Sequence, residues 1–245
     1  MSDAMVAGKF IEGGMMIKLK SCLVLIFFML FSLASNDGYA QEVPMYENVM
    51  QEHNWIVEQQ PGGEVIFNNG FIEIVDAKGC TVWFKNKLET GIKIAYYVTV
   101  IDNGKPYDRV SDLNCFWMAN DPNHPDDFFR ASDLRAGFFP NYHSLTLYYV
   151  GYGGHNNSKT RFRRYNGNVD RPLLPEHDLS DKKYMITANK KMYIEILIDG
   201  QYTCYKRDGE IIFEIKDPTP YLKGYFGFRT VNNHMKIEGF SISRL

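Results

Sequence analysis

Residues 141–167 contain the side chains with the greatest capacity for chemistry in this sequence. Tyr142 and His143 lie near the start of the segment, and Arg161 and Arg163 lie near its end, on either side of Phe162. A guanidinium group binds a carboxylate through two parallel hydrogen bonds, and histidine and tyrosine can transfer protons. The segment therefore indicates a site that binds an acidic ligand and could move a proton on it.

The same residues are predicted to form two strands joined by a turn. Apolar and polar residues alternate between Ser144 and Tyr149, as in a strand whose two faces meet different surroundings. Residues 151–157 are rich in glycine and asparagine, which tolerate the positive φ of a turn. If Phe162 points into a core, Arg161 and Arg163 both point to the opposite face. Arginines and tyrosines are equally typical of a solvated sheet surface, so both interpretations stay open.

Residues 1–40 have the features of an N-terminal extension followed by an export signal. Lys18 and Lys20 precede an apolar run over residues 22–33, and Gly38-Tyr39-Ala40 supplies small residues for cleavage. The run is short for a transmembrane helix. We therefore expect a mature chain over residues 41–245, located in the periplasm or outside the cell, with no membrane partner after cleavage.

The mature chain has the length of one large all-β domain, and no proline- or serine-rich linker divides it. The formal net charge of the whole sequence is -2, which argues against nucleic acid as a general partner. We therefore predict that the arginine cluster is a local feature.

The cysteines and aspartates indicate no required cofactor. Three cysteines follow residue 41; their spacing fits no zinc motif, and their apolar surroundings indicate small core residues, with one disulfide at most. A polar loop over residues 120–140 could bring acidic side chains around a structural calcium ion, although their spacing matches no standard calcium loop. These acidic side chains are Asp121, Asp126, Asp127 and Asp133.

Short strands separated by turns dominate the mature chain, and no helix of several turns is evident. The predicted strands are 64–67, 71–75, 81–84, 92–101, 115–118, 184–186, 193–198, 202–206, 211–215, 224–230 and 235–242, the last expected at a sheet edge. This pattern predicts an all-β sandwich of two antiparallel sheets. The strand count favours a jelly roll over an immunoglobulin-like topology.

Four stretches carry a resemblance to a known family: YHSLTLYYVGYGG, TRFRRYNG, YIEILIDGQYTCYKRDGEIIFE and GYFGFRTVNNHMKIEGFSI. They resemble the concanavalin-A-like family that includes the YesU protein of pectin-utilisation operons, together with related secreted bacterial domains of unknown function. The resemblance covers roughly residues 95–245. It implies a lectin- or glucanase-like jelly roll with a carbohydrate groove on its concave face, but no settled mechanism. The paired acids of retaining glucanases and the alginate-lyase motifs are missing.

One functional hypothesis is β-elimination on an acidic plant- or algal-type polysaccharide or its oligosaccharides. This reaction needs a cation beside the carboxylate, a base to remove a proton and an acid to protonate the leaving oxygen. Arg161, Arg163 or Arg229 are candidates for the cation. His143 or His234 are candidates for the base, and Tyr142 or Tyr148 for the acid.

Two alternatives remain. In a non-catalytic glycan-binding module, Trp117, Tyr148 and Tyr225 would stack on sugar rings, and Asn157, Asn232 and the arginines would donate hydrogen bonds. In a glycoside hydrolase, Asp121 or Asp133 would act with Glu195, although nothing in the sequence ties these carboxylates together. Whether the protein is an enzyme is therefore left open by the sequence.

Overall fold

The computed structural model describes residues 43–245. The predicted extension and signal peptide over residues 1–40 lie outside the described residues. Within the described range, no helix has the length and apolar character that a membrane span requires.

Two antiparallel sheets account for the fold, so the predicted all-β jelly-roll sandwich is confirmed. The strands are β1 (Trp55–Gln59), β2 (Glu64–Asn68), β3 (Phe71–Asp76), β4 (Cys80–Phe84), β5 (Leu88–Glu89), β6 (Ile92–Val100), β7 (Leu113–Asn120), β8 (Thr146–Gly153), β9 (Lys159–Asn166), β10 (Asp178–Leu179), β11 (Met192–Asp199), β12 (Tyr202–Arg207), β13 (Glu210–Lys216), β14 (Lys223–Thr230) and β15 (Asn233–Arg244). The eight-stranded sheet has the order β1-β4-β14-β7-β8-β9-β10, with β5 paired to β14. The seven-stranded sheet has the order β13-β12-β11-β6-β15-β3-β2.

Helical structure in the described range is limited to single turns. Ser132–Arg135 forms one α-helical turn, α1, whereas Gly154–Asn157 is a tight turn in which His155 and Asn156 have left-handed φ values. The 3₁₀ turns are Glu52–Asn54, Phe128–Ala131, Phe139–Tyr142, Pro175–His177 and Lys182–Tyr184.

The main core lies between the two sheets and is built by alternation along the strands. Ile94, Tyr96 and Val98 of β6 meet Phe226 and Phe228 of β14 in one buried cluster. Tyr96 packs edge-on against Phe228, with ring centroids 5.0 Å apart. Phe226 and Phe228 therefore lie on the same face of β14.

A second core lies on the other face of the eight-stranded sheet. Trp83 of β4 and Phe116 of β7 contribute to it from the sheet, and Phe128, Tyr142 and Leu145 contribute from the chain between β7 and β8. This stretch, residues 121–145, is here called the covering segment. Its aromatic and aliphatic side chains cover part of the outer face of the sheet, including Leu147 of β8 and Tyr165 of β9, while Arg161 and Arg163 of β9 stay partly exposed.

Three sequence predictions about strands are corrected by the structure. Residues 184–186 are not a strand, because the chain there follows a 3₁₀ turn and anchors the β8–β9 connection. The last strand, β15, lies inside its sheet, since it pairs with both β6 and β3. Trp55–Gln59 forms an additional strand that pairs with β4.

The three cysteines of the described range are buried and unpaired, as expected of small core residues. Burial raises the pKa of Cys115 to about 12 and raises the pKa of Cys80 well above its ordinary value. These thiols are therefore poor nucleophiles in the folded protein.

Candidate functional site

The outer face of the eight-stranded sheet contains a pocket of about 410 Å³ beside the covering segment. It lies between the β8–β9 hairpin, the covering segment and the loop before β10. The lining residues are Asp112, Phe139, Tyr149, Gly151, Gly154, His155, Lys159, Arg161, Arg163 and Arg171. The pocket is thus rich in basic side chains, and Asp112 is the single carboxylate among the lining residues.

The hairpin sets the spacing of the pocket floor. Tyr149 is paired with Arg163, and Gly151 with Arg161, across the β8–β9 ladder. Phe162 is buried in the main core, so Arg161 and Arg163 project to the opposite face, as the alternation predicts. A Cβ atom at Gly151 would lie 2.5 Å from the Tyr149 hydroxyl oxygen, so glycine makes room for the tyrosine at the pocket wall.

Side chains of Asn157, Ser158 and Arg109 hold the turn that joins the two strands. His155 and Asn156 have left-handed φ values of 54° and 56°, a region that asparagine tolerates better than most residues. The Asn157 side chain donates to the carbonyl of Ile186 at 2.9 Å and accepts from its N–H at 2.8 Å. Asn157 was predicted to contact substrate. The structure instead uses it to fix the turn.

One end of the pocket contains a paired set of charges. Arg161 donates to both carboxylate oxygens of Asp178, at 2.9 and 3.1 Å, and Lys159 lies 3.6 Å from the same carboxylate. A third donor of Arg161 contacts Nε2 of His155. Because a guanidinium group can only donate, Nε2 of His155 accepts, and the ring proton is on Nδ1. This lone pair is therefore already engaged in the unliganded protein.

The other end contains two arginines without a carboxylate partner among the described residues. Arg163 donates to the backbone carbonyl of Arg171, and neither guanidinium forms an ion pair with a side chain in residues 43–245. Burial and the nearby charge of Arg171 lower the pKa of Arg163. The Arg171 guanidinium also lies 5.6 Å from the centroid of the Phe139 ring. Two close positive charges without an anion form a ready site for one.

Asp112 and Tyr149 are the remaining polar groups at the wall. Asp112 accepts from the Ser111 hydroxyl at 2.7 Å and is paired with Arg109, while its own φ of 55° is left-handed. Burial raises the pKa of Tyr149 well above its ordinary value. Tyr149 is therefore a neutral hydroxyl that can donate a hydrogen bond to a ligand.

His143 is half-buried and is not one of the residues that line the pocket. Its ring packs edge-on against Phe139 at 5.2 Å, and its Nε2 is buried without a hydrogen-bond partner in the described range. Burial lowers the pKa of His143 to about 4, with Arg171 and Arg163 adding to the effect. The imidazole is thus neutral at physiological pH. It borders the two arginines without reaching the pocket surface.

Tyr142 and Arg229 were predicted at the site, and the structure places both beneath the covering segment. The Tyr142 hydroxyl donates to Glu58 at 2.6 Å and accepts from the N–H of Gly137 at 3.2 Å. Arg229 is fully buried and donates to the Gly137 carbonyl at 2.7 Å. Their polar groups hold the covering segment on the sheet, so neither is available to a ligand.

Trp117 and Tyr148 are core residues and not a sugar-stacking surface. Both side chains are buried between the sheets, where their rings pack 5.8 Å apart. The Trp117 ring N–H donates to Thr203 at 3.1 Å, and the Tyr148 hydroxyl donates to Asp217 at 2.6 Å. Alternation predicted two faces for β8, but it did not indicate which face was the inner one.

Tyr225 and His234 also lie away from the pocket. Tyr225 stacks on Phe128 of the covering segment, with ring centroids 4.6 Å apart. His234 belongs to the seven-stranded sheet and contacts two carboxylates, Asp108 at 2.7 Å and Glu73 at 2.6 Å. Of the site candidates named from the sequence, Arg161 and Arg163 line the pocket, and the others do not.

No metal-ligand cluster of three or more His, Cys, Asp or Glu side chains is found among residues 43–245. Two of the four aspartates considered for calcium have other contacts. Asp121 is bonded to the His124 ring at 2.9 Å and lies 3.7 Å from Arg135, while Asp127 accepts from the N–H of Phe129. Their carboxylates therefore support the covering segment.

Sequence reasoning missed most of the pocket lining. Lys159 and Tyr149 could have been found, because they share the alternation of Arg161 and Arg163 on the hairpin. Arg171, Asp112 and Phe139 come from three separate loops, and no local pattern brings them together. The missed lining residues are Asp112, Phe139, Tyr149, Gly151, Gly154, His155, Lys159 and Arg171.

Solved structures with the same architecture include three with informative descriptions. A Bacillus subtilis protein of unknown function with a galectin-like fold is 19% identical with a TM-score of 0.62, covering 83% of this chain and 97% of its own. The carbohydrate-binding module CBM66 from Bacillus subtilis is 9% identical with a TM-score of 0.52, covering 78% and 95%. A protein described as a native glycosidic hydrolase is 10% identical with a TM-score of 0.51, covering 79% and 90%. At these identities the similarity establishes the fold alone.

Family membership follows from the sequence itself. No curated protein matches the chain. A family described as a domain of unknown function, DUF6250, matches residues 74–240, which is more than half of the chain. The protein therefore belongs to the DUF6250 family.

Proposed function

We propose that this protein is exported and binds an acidic carbohydrate in the pocket over β8 and β9. The observation that carries the proposal is the pair of guanidinium groups, Arg163 and Arg171, that line the pocket without a carboxylate partner in the described range. An anion bound between them would form charge-assisted hydrogen bonds and relieve the repulsion between the two cations.

The other lining groups support a sugar as the rest of the ligand. Tyr149 and Asp112 present a hydroxyl and a carboxylate oxygen, which can bond sugar hydroxyls, and Phe139 presents a ring to a sugar face. Pockets for small ligands combine such apolar walls with a few fixed polar groups. The fold shared with a carbohydrate-binding module and a glycosidic hydrolase supports the same class of ligand. So does the resemblance to the pectin-utilisation family.

Polysaccharide lyase activity is a second candidate, and Tyr149 is the observation that favours it. In β-elimination, a base removes the proton beside the carboxylate, the C–O bond to the leaving sugar breaks, and an acid protonates the departing oxygen. Arg163 and Arg171 would stabilise the charge that develops on the carboxylate. The Tyr149 hydroxyl is placed at the pocket wall to protonate the departing oxygen, and the base is Asp112, whose Oδ1 is not contacted by Arg109 or Ser111.

Glycoside hydrolysis has less support from the pocket. The reaction uses two carboxyl groups on opposite sides of the scissile bond, but Asp112 is the one carboxylate among the lining residues. The acids considered from the sequence do not help, because Glu195 lies on β11 of the seven-stranded sheet and Asp121 follows β7 of the other.

Calorimetric binding and ultraviolet absorbance on purified residues 41–245 test the proposal. The panel contains pectic, rhamnogalacturonan, alginate and ulvan oligosaccharides, with neutral oligosaccharides as controls. Binding of acidic members that Arg163→Gln abolishes and Arg130→Gln retains supports the proposal, since Arg130 is exposed. New absorbance from unsaturated uronates that is lost in Tyr149→Phe adds lyase activity. Equal binding of neutral and acidic members contradicts the proposal.

A further inference from the structure

The pocket contains more positive charge than one ligand carboxylate can balance. Asp178 is shared by Arg161 and Lys159, so one of these two cations is left without compensation. Asp112 does not supply the missing negative charge, because its carboxylate is already paired with Arg109. This uncompensated positive charge is additional to the charges of Arg163 and Arg171, on which the proposed function rests.

The two groups of uncompensated positive charge are separated along β9. Lys159 and Arg163 are four residues apart and project to the same face, which places their Cα atoms about 13 Å apart along the strand. Arg161 lies between them and is held by Asp178 and His155, so it cannot swing freely to either end. A single carboxylate at Arg163 therefore leaves the Lys159 end without an anion.

We infer that the ligand carries two negative groups on neighbouring sugars. This inference rests on the proposed function and narrows its substrate class to runs of adjacent acidic sugars. One anionic group is bound by Arg163 and Arg171, and the second by Lys159. A polysaccharide in which acidic and neutral sugars alternate supplies an anionic group to only one end of the pocket.

Two disaccharide probes of similar size test the inference by calorimetry. Digalacturonate carries two carboxylates, and galacturonosyl-rhamnose carries one. The unchanged protein is expected to bind digalacturonate about fivefold more tightly, the upper range for one partly exposed ion pair. In Lys159→Gln this ratio is expected to fall towards one. Arg130→Gln, a matched loss of one exposed positive charge, is expected to preserve it.

The variants separate failure of the inference from failure of the proposed function. If Arg163→Gln weakens both disaccharides while Lys159→Gln preserves the ratio, the second anionic subsite is refuted and the proposed function stands. If Arg163→Gln leaves the binding of both disaccharides unchanged, the inference and the proposed function are both refuted. The same holds if neither disaccharide binds the unchanged protein. Raising the salt concentration provides a further check, because it is expected to weaken digalacturonate more than galacturonosyl-rhamnose.

Discussion

The substitution Tyr142→Phe separates a structural role for this tyrosine from the catalytic role that the sequence suggested. The hydroxyl group is fully buried, donates to Glu58 at 2.6 Å and accepts from the N–H of Gly137 at 3.2 Å. Glu58 is also bound by Arg135 at 2.7 Å, in a pair that is almost completely buried. Removing the hydroxyl leaves a buried N–H without a partner and a buried carboxylate with one donor fewer.

The expected cost can be worked out from these contacts. A hydrogen bond to a buried charged group contributes about 1.5 to 3 kcal/mol, and the phenylalanine ring leaves no cavity. For a domain of this size, each kcal/mol corresponds to about 2 to 4 °C, so the Tm is expected to fall by roughly 3 to 12 °C. Burial and the nearby Glu58 carboxylate raise the pKa of Tyr142, so the loss is expected across the neutral pH range.

Denaturant unfolding followed by tryptophan fluorescence measures the change in the free energy of unfolding. Calorimetric binding of an acidic oligosaccharide, well below the melting temperature of the variant, measures any change at the pocket. The structure predicts lower stability with unchanged affinity. Unchanged stability with lost binding or activity would refute the structural role and return Tyr142 to the site.

Three further predictions concern His143, Gly151 and the cysteines. Because the pKa of His143 is lowered to about 4, the unfolded chain binds its proton first. The wild type is therefore expected to lose stability relative to His143→Asn as the pH falls from about 6.5 to about 4, and to show no such pH-dependent difference above that range. Denaturant midpoints across this range measure the difference, and parallel pH profiles would contradict the assignment. Gly151→Ala places a methyl group 2.5 Å from the Tyr149 hydroxyl oxygen and is expected to cost about 1 to 3 kcal/mol of stability and to weaken ligand binding. Unaltered affinity by calorimetry would show that Tyr149 does not shape the site. The three buried thiols are expected to resist a thiol reagent in folded residues 41–245 and to react after denaturation. Rapid reaction of the folded protein would contradict their burial.

Local sequence patterns predicted much of the fold. In the β8–β9 hairpin they predicted two of the pocket-lining residues, Arg161 and Arg163. The alternation around Phe162 placed Arg161 and Arg163 on one face because strand geometry has a period of two residues. The same rule could not show which outer-face residues would be covered. Tyr142 and Arg229 are on the outer side of the sheet, yet packing of the covering segment removes them from solvent.

The covering segment itself carried a signal that its polar residues concealed. The sequence analysis predicted a polar loop. This loop nevertheless contains two pairs of adjacent phenylalanines, Phe128-Phe129 and Phe138-Phe139, and such apolar pairs need a surface to pack on. Arg171 could not be predicted as part of the site, because its position depends on a long loop that no periodicity describes. Trp117 was assigned to sugar stacking for a similar reason, since composition alone does not distinguish a core tryptophan from a binding one.

The most direct test of the account is the affinity of one acidic oligosaccharide for three variants of residues 41–245. Arg163→Gln and Arg171→Gln each remove one of the two unpaired guanidinium groups of the pocket, and Arg130→Gln removes one exposed arginine outside it. Loss of a charge-assisted contact of about 1.5 to 3 kcal/mol predicts affinity at least tenfold lower for each pocket variant. The control is expected to match the wild type. Equal affinity for all four proteins would contradict the account.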